Sequence, residues 1–451
     1  MFMMRTQSRV VSSASWARAC SGAVSAAESA THAHRADTVA ACTMAMPFMS
    51  EYIKRADVFT PYGMTRPMPA RSLAQNLPDR TLIVGGGAVG LACAWALASA
   101  GARVTVLEAA QVGRGALWAS GGMLAAGFEA CFELEPGHPL ADPYAGFLRR
   151  SQRLWGDWAP QVQALSPHRL GYDQRGSLTP AFQPQDHERL DRAEVLARRF
   201  GVVTERVNAR TLSQIEPVLA PGLGALVFPH DGQLDNRIMG LVLADAIRAR
   251  GGEVQEGMRV ESLVRQGGRV VGVRMSDGAE RQADCVILAT GAERFVELAE
   301  GARMIPVKGQ MVRFDLPSGQ APRRVVRGLS IYLAAKSEGR LIAGASVEPG
   351  KTSLETDPET LERLVKAARQ ALPGLQSADF VEHWAGLRPQ SRDAMPVVGE
   401  VTPGLYLALG AYRNGVLSAP GMAELMLEAM GATPRSATAD YFSPQRQALR
   451  S

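Results

Sequence analysis

The order of apolar and polar positions becomes regular only from Thr81 onward. Residues 81–84 form a short apolar run that predicts a buried strand. Residues 90–100 predict an Ala/Leu helix ended by Gly101, and residues 103–107 a second strand closing at Glu108. Together these predict a βαβ unit. Between about Pro139 and Phe200 the pattern is helical and amphipathic. It is broken over 171–180, where Arg175-Gly176-Ser177-Leu178 predicts a strand edge. Asp235 stands where a helix over 238–250 needs its N-cap. Strands are predicted over 253–259, 260–265, 270–275 and 285–289, with turns at Gly267-Gly268 and Asp277-Gly278. Further strands are predicted over 311–316, 331–335 and 341–343, then a helix over 357–372, a strand over 405–409 and a helix from about 417 to 430. Strands and helices interleave out of simple order, which suits a nucleotide-binding α/β domain with a second domain inserted into it.

Residues 1–78 differ, being rich in Ala, Ser, Met and Arg, with Arg5, Arg9 and Arg18 ahead of the first acidic residue, Glu28. That composition is like an organellar transit peptide. It also fits an over-long start, with Met44 or Met64 as initiator, or a disordered tail. On any of these readings the segment stays outside the fold.

Of the 451 residues 46% are hydrophobic, enough for a large core and more than one domain. No apolar stretch reaches the roughly 18 to 20 residues of a membrane helix, so no integral membrane segment is expected. The formal charge is +5, but the basic residues are mostly Arg and scattered. They form no basic face with interleaved aromatics, so nucleic-acid binding is not expected. Five cysteines show no metal-type spacing, and seven histidines form no HxxxH or HExxH pattern. No metal site is expected. Odd, scattered cysteines favour a reducing compartment, and hence the cytoplasm.

The chemistry starts at Gly85-x-Gly87-x-x-Gly90, which follows the first strand and opens the first helix. Such glycines give a tight turn, backbone close to a pyrophosphate, and close packing of helix on strand. The helix N-terminus turns unpaired N–H groups and partial positive charge toward the phosphates, through Gly85, Gly87, Ala88, Val89 and Gly90. Glu108, eighteen residues past Gly90, ends the second strand where its carboxylate can accept bonds from an adenosine ribose. The run 283–291 is an apolar strand ending in Ala289-Thr290-Gly291, similar to the second motif of flavoproteins, and favours FAD. No second glycine fingerprint of the first type follows, which argues against a separate NAD(P)H site.

Five motifs now stand together. They are the glycine turn; Ala119-Ser120-Gly121-Gly122-Met123-Leu124; Pro306-Val307-Lys308-Gly309-Gln310; Trp384-Ala385-Gly386-Leu387-Arg388-Pro389; and Tyr412-Arg413-Asn414-Gly415-Val416. With them the chain resembles the D-amino-acid oxidase superfamily of FAD-dependent oxidoreductases over about residues 80–430. It is most similar to the glycine oxidase branch of bacterial thiamine synthesis.

The resemblance implies an α/β fold, with a Rossmann-like FAD-binding domain and an interleaved α+β substrate domain on a mixed or antiparallel sheet. The FAD-binding domain would take residues 79–138, 230–300 and 386–433, the substrate domain 139–229 and 301–385, leaving 434–451 as a tail. It implies FAD contacts from Ala109, Ala116, Leu117, Gly121, Gly122, Met123, Val260, Thr290, Gly291, Ala411, Tyr412, Asn414, Gly415 and Val416. Arg388 and Tyr332 would bind the substrate carboxylate, Arg413 would be a second arginine near substrate and flavin, and Met123 would lie near the reacting face of the flavin.

The implied reaction is oxidative deamination of glycine or a similar small amine by oxygen, in a chain that can form a homo-oligomer. Sarcosine or D-amino-acid oxidation, or electron transfer to a non-oxygen acceptor, remain open alternatives. Three departures bear on which amine is taken: Ala411 where a His is common, Tyr332-Leu333-Ala334-Ala335-Lys336 in place of Tyr-x-x-Pro-Arg, and Ser120-Gly121-Gly122 where alanines are usual.

Overall fold

The computed structural model describes residues 77–446, except 296, 299–301, 329 and 379. The leader predicted over 1–78 lies outside the described residues, its last two positions apart.

The βαβ unit forms around Thr81–Val84, whose four residues are all buried. This strand pairs in parallel with Val104–Leu107 on one side and Cys285–Leu288 on the other. Both faces of the strand are covered, Ile83 packing into one core and Leu82 and Val84 into another, and a strand buried on both faces reads as continuously apolar rather than alternating. The sheet runs in the order Val397–Thr402, Leu405–Leu409, Cys285–Leu288, Thr81–Val84, Val104–Leu107, Glu253–Gln255. All its pairings are parallel except that of Val397–Thr402 with Leu405–Leu409.

The helix Ala88–Ser99 begins two residues before its predicted start and is apolar all round. An all-apolar helix must be covered, and Gly415–Ala429 and Asn236–Ala249 cover it. Asp235 is the N-cap of the latter, accepting from Arg237 N at 3.1 Å.

A second sheet has nine strands. Eight run in the order Glu348–Pro349, Ile305–Asp315, Arg340–Gly344, Tyr332–Ala335, Val325–Arg327, Ser177–Ala181, Gly224–Phe228, Glu205–Asn208, and Phe380–Gln390 pairs with Ile305–Asp315. Ser177–Ala181 corrects the strand edge expected over 175–178. It is fully buried and paired on both sides, antiparallel to Gly224–Phe228 and parallel to Val325–Arg327. Pro180, which has no N–H to give, sits where the parallel neighbour has already ended, since that pairing covers only Ser177 and Leu178. The strand expected over 253–259 is shorter, Glu253–Gln255, because the chain turns at Gly257, whose φ is +70°.

The register of this sheet sets one transverse row of paired residues. Arg327 pairs with Tyr332, Tyr332 with Gly344, Gly344 with Met311, and Met311 with Trp384. Directly paired residues share a face, so the row crosses five strands on one side of the sheet. Arg388 lies on that face too, four positions along the strand from Trp384.

Among the described residues, no helix is long and apolar enough to cross a membrane, and no cluster of His, Cys, Asp and Glu could hold a metal ion.

Candidate active site

A cavity of about 1170 Å³ runs from the glycine turn to the row on the second sheet. At its first end, Gly85 adopts φ +109° and donates to Leu107 O at 2.9 Å. A side chain at Gly90 would overlap the carbonyl oxygen of Gly85. That glycine therefore lets the helix start close against the turn. No side chain caps this helix, and the space beside Gly87 is open. Its first N–H groups therefore face the cavity without a side-chain acceptor, as an anion site requires.

Glu108 accepts from Gly86 N at 2.8 Å and from Ala110 N at 2.9 Å. These bonds fix the carboxylate at the cavity wall and leave its other lone pairs for a ligand. Thr290 Oγ1 is buried without a hydrogen-bond partner in the same wall. A buried hydroxyl without a partner is costly unless a ligand satisfies it. The open turn, the uncapped helix, the fixed carboxylate and the unpaired hydroxyl all fit a bound dinucleotide.

The short helix Ala116–Ala119, which lines the middle of the cavity, is held by side chains of neighbouring elements. Asn236 Nδ2 donates to Leu117 O at 3.1 Å and to Trp118 O at 2.8 Å, and Trp384 Nε1 donates to Ala119 O at 3.1 Å. Arg237 lies over the rings of Trp118 and Trp384, 3.9 and 4.7 Å from their centroids, and binds Glu382 through both guanidinium nitrogens at 2.8 and 3.0 Å.

At the far end stand Arg388 and Tyr332. The Arg388 guanidinium lies where a side chain on Gly309 would be, and only a glycine leaves that room. It donates to Ser346 O at 3.1 Å and Lys308 O at 3.3 Å. Among the described residues no carboxylate pairs with it. Burial pushes the Arg388 pKa below its ordinary value, Tyr332 and Tyr412 opposing that shift. The Tyr332 ring fits between Gly121 and Gly344, whose missing β-carbons would each come within 3 Å of it. Burial pushes the Tyr332 hydroxyl up to about 12, with Arg388 and Arg327 opposing.

Arg413 lines the same cavity but is not free. It is engaged by two carboxylates, Glu129 Oε2 at 3.1 Å from its Nε and Glu133 at its Nη2, so its charge is already answered. Burial opposes that charge, yet Glu129 and Glu133 hold the Arg413 pKa above its ordinary value. Glu129 is 5% exposed and also binds Arg327 Nη2 at 3.0 Å and Asn414 Nδ2 at 3.2 Å. Burial works against its ionisation, but Arg413 and Arg327 hold its pKa below the usual carboxylate value. Arg327 also stacks over Phe128 at 3.9 Å and reaches Met123 Sδ at 3.3 Å.

Of the residues singled out from the sequence, Gly85, Gly87, Ala88, Val89, Glu108, Ala109, Ala116, Leu117, Gly121, Met123, Val260, Thr290, Gly291, Tyr332, Arg388, Ala411, Tyr412, Arg413, Gly415 and Val416 line this one cavity. Three do not. Gly90 faces the turn, Gly122 (φ +63°) meets Leu234 O and Lys336, and Asn414 is buried against Glu129 and Tyr144.

Sequence reasoning missed Glu129, Glu133 and Arg327. Arg327 closes the pair Val325-Val326, but with Arg323 and Arg324 just ahead it does not stand out, and its partner lies 198 positions away.

The geometry thus joins a cradle that fits a dinucleotide to a pocket with one arginine that no carboxylate answers among the described residues. The family model described as FAD dependent oxidoreductase (DAO) matches residues 80–429, and the chain belongs to that family. Its cofactor is FAD.

The chain is 31% identical over 368 residues to a glycine oxidase of Pseudomonas aeruginosa, covering 78% of this chain and 95% of that one. It is 32% identical over 376 residues to a "Bifunctional protein ThiO/ThiG" of Synechocystis sp., covering 81% of this chain. The chain spans about half the length, 53%, of that bifunctional relative. The crystal structure of glycine oxidase from Geobacillus kaustophilus superimposes with a TM-score of 0.73 at 28% identity, covering 82% of this chain and 99% of that one.

Proposed function

We propose that the protein oxidises glycine or a similarly small amino acid at the carbon bearing the amine. The product is an imine, which water hydrolyses to an oxo acid and ammonia, while oxygen is reduced to peroxide. The observation that carries this reading is Arg388, a largely buried guanidinium facing the cavity with no carboxylate partner among the described residues. A planar guanidinium fork suits a carboxylate.

FAD supplies the acceptor for the hydride. The chain's own residues bind and orient. Arg388 takes the substrate carboxylate, and Tyr332, which stays protonated at neutral pH, donates a second bond to it. Met123, Phe128 and Met311 line the same end and keep water from the reacting carbon. Glu129 and Glu133 are engaged by arginines, so the amine proton passes to solvent rather than to a side-chain base.

For the cofactor we assign the pyrophosphate to the turn at Gly85 and Gly87 with the helix start at Ala88 and Val89. Glu108 then takes the ribose, Val260 and Ala109 the adenine end, and the backbone at Gly121, Met123, Ala411 and Gly415 the flavin ring. The domain division is proposed to fall between the two sheets, which moves the 385/386 boundary predicted from sequence past Gln390, because Phe380–Gln390 is one strand of the second sheet. Similarity to the bifunctional relatives supports a place in thiamine synthesis, as the supplier of an imine for thiazole assembly. Three buried, unpaired cysteines, Cys93, Cys131 and Cys285, support a cytoplasmic setting.

The deciding experiment is peroxide release from purified protein given glycine, sarcosine and D-alanine. Peroxide with glycine or sarcosine supports the reading. Turnover that needs an added acceptor and consumes no oxygen replaces it with a dehydrogenase.

A further inference from the structure

Three arginines face the substrate end of the cavity, Arg327, Arg388 and Arg413, and two carboxylates, Glu129 and Glu133. They are not evenly matched. Glu129 binds Arg327 at 3.0 Å and Arg413 at 3.1 Å, and Glu133 binds Arg413 and stands 4.0 Å from Arg327. Both glutamates are thus spent on the same two arginines. One positive charge remains, on Arg388.

Arg388 feels this network, since Arg413 and Glu129 both act on it electrostatically. Buried pairs are weakly screened, so the balance of charge over the whole group decides which anions enter.

We propose that Glu129 and Glu133 are specificity-determining residues that limit the pocket to substrates with a single carboxylate. The inference rests on the carboxylate-binding role given to Arg388 above and adds what refuses a second one. A monocarboxylate meets the one unanswered cation. A second carboxylate on the same ligand would find Arg327 and Arg413 already neutralised and would face Glu129 and Glu133, and like charges brought together select strongly against a partner.

The three arginines alone would point the other way, to an amine bearing two carboxylates, and the glutamates reverse that reading. Phe128 adds to it. Its ring lies 3.9 Å from the Arg327 guanidinium carbon and fills space beside that cation.

The test uses two ligands that differ by one carboxylate and have no amine to oxidise, (methylthio)acetate and thiodiacetate. Their binding to the FAD-loaded protein is read by calorimetry and by perturbation of the flavin spectrum. The native protein should prefer (methylthio)acetate.

Glu133→Gln, at a partly exposed position, frees Arg413 Nη2 and should shift the affinity ratio toward thiodiacetate by about tenfold or more. Glu129→Gln should shift it further. If the buried substitution prevents folding, Glu133→Gln carries the test alone. A ratio that does not move in the folded variants, or equal binding of both ligands by the native protein, overturns the proposal and leaves the oxidase reading standing. Failure of the native protein to bind either ligand overturns both.

Discussion

The guanidinium of Arg388 occupies the place that a side chain on Gly309 would fill, so the two positions act as one unit although 79 residues separate them. Arg388→Ala should lower kcat/KM by about 2 to 5 kcal/mol, the usual cost of leaving a charged partner unpaired. Gly309→Ala should lower it by about 1 to 3 kcal/mol by displacing the guanidinium. Steady-state kinetics on the best amine checks both, and a Gly309→Ala enzyme with unchanged KM would show that Arg388 does not hold substrate.

Tyr332→Phe removes one donor and keeps the ring between Gly121 and Gly344. The expected loss in kcat/KM is about 0.5 to 1.5 kcal/mol. Because burial raises the hydroxyl to about 12, Tyr332 stays protonated through pH 10. The native pH profile should therefore carry no alkaline limb that disappears in Tyr332→Phe.

Gly90→Val places bulk against the carbonyl of Gly85 and should cost the protein its flavin. The purified variant is expected to be colourless, or to lose its yellow colour on gel filtration. Full retention of flavin absorbance would mean that the turn can open without harm to the cradle.

Lys336 gives a pH prediction of definite sign. Its ammonium donates to Gln233 Oε1 at 2.9 Å and Leu234 O at 2.8 Å, yet burial lowers its pKa to about 7, with Asp235 opposing. Between about pH 7 and 10.5 the unfolded chain holds this proton and the folded one does not, so folding gains stability as pH rises through that window. Below pH 7 both states are protonated and the burden is complete. Lys336→Gln should therefore unfold with a flatter pH dependence, the native protein gaining on it from pH 7 to 10. Parallel thermal unfolding curves of the two proteins across that range would refute the assignment.

Much of this site could be read from the sequence, for reasons that differ by residue. The turn from Gly85 to Gly90 announces itself because its causes are local: an apolar strand before it, a helix after it, and Glu108 a fixed interval on. Leu405–Leu409 was delimited correctly because it is apolar throughout and ends at Gly410, whose φ is +77°.

Phe380–Gln390 was found only as a motif, not as a strand. Its burial does not alternate, because one of its faces lies along a cavity. The link between Arg413 and Glu129 spans 284 positions and leaves no periodicity behind. Arg413 could be picked out as a cation near the substrate, but nothing local said it was already paired.

The row from Arg327 through Tyr332, Gly344 and Met311 to Trp384 places a constraint on how this enzyme can diverge. Adding or deleting one residue in any of its five strands would turn that strand's members of the row to the opposite side of the sheet. New substrate preferences can therefore arise by exchanging residues within the row or by lengthening the loops around it, while the strands themselves must keep their length.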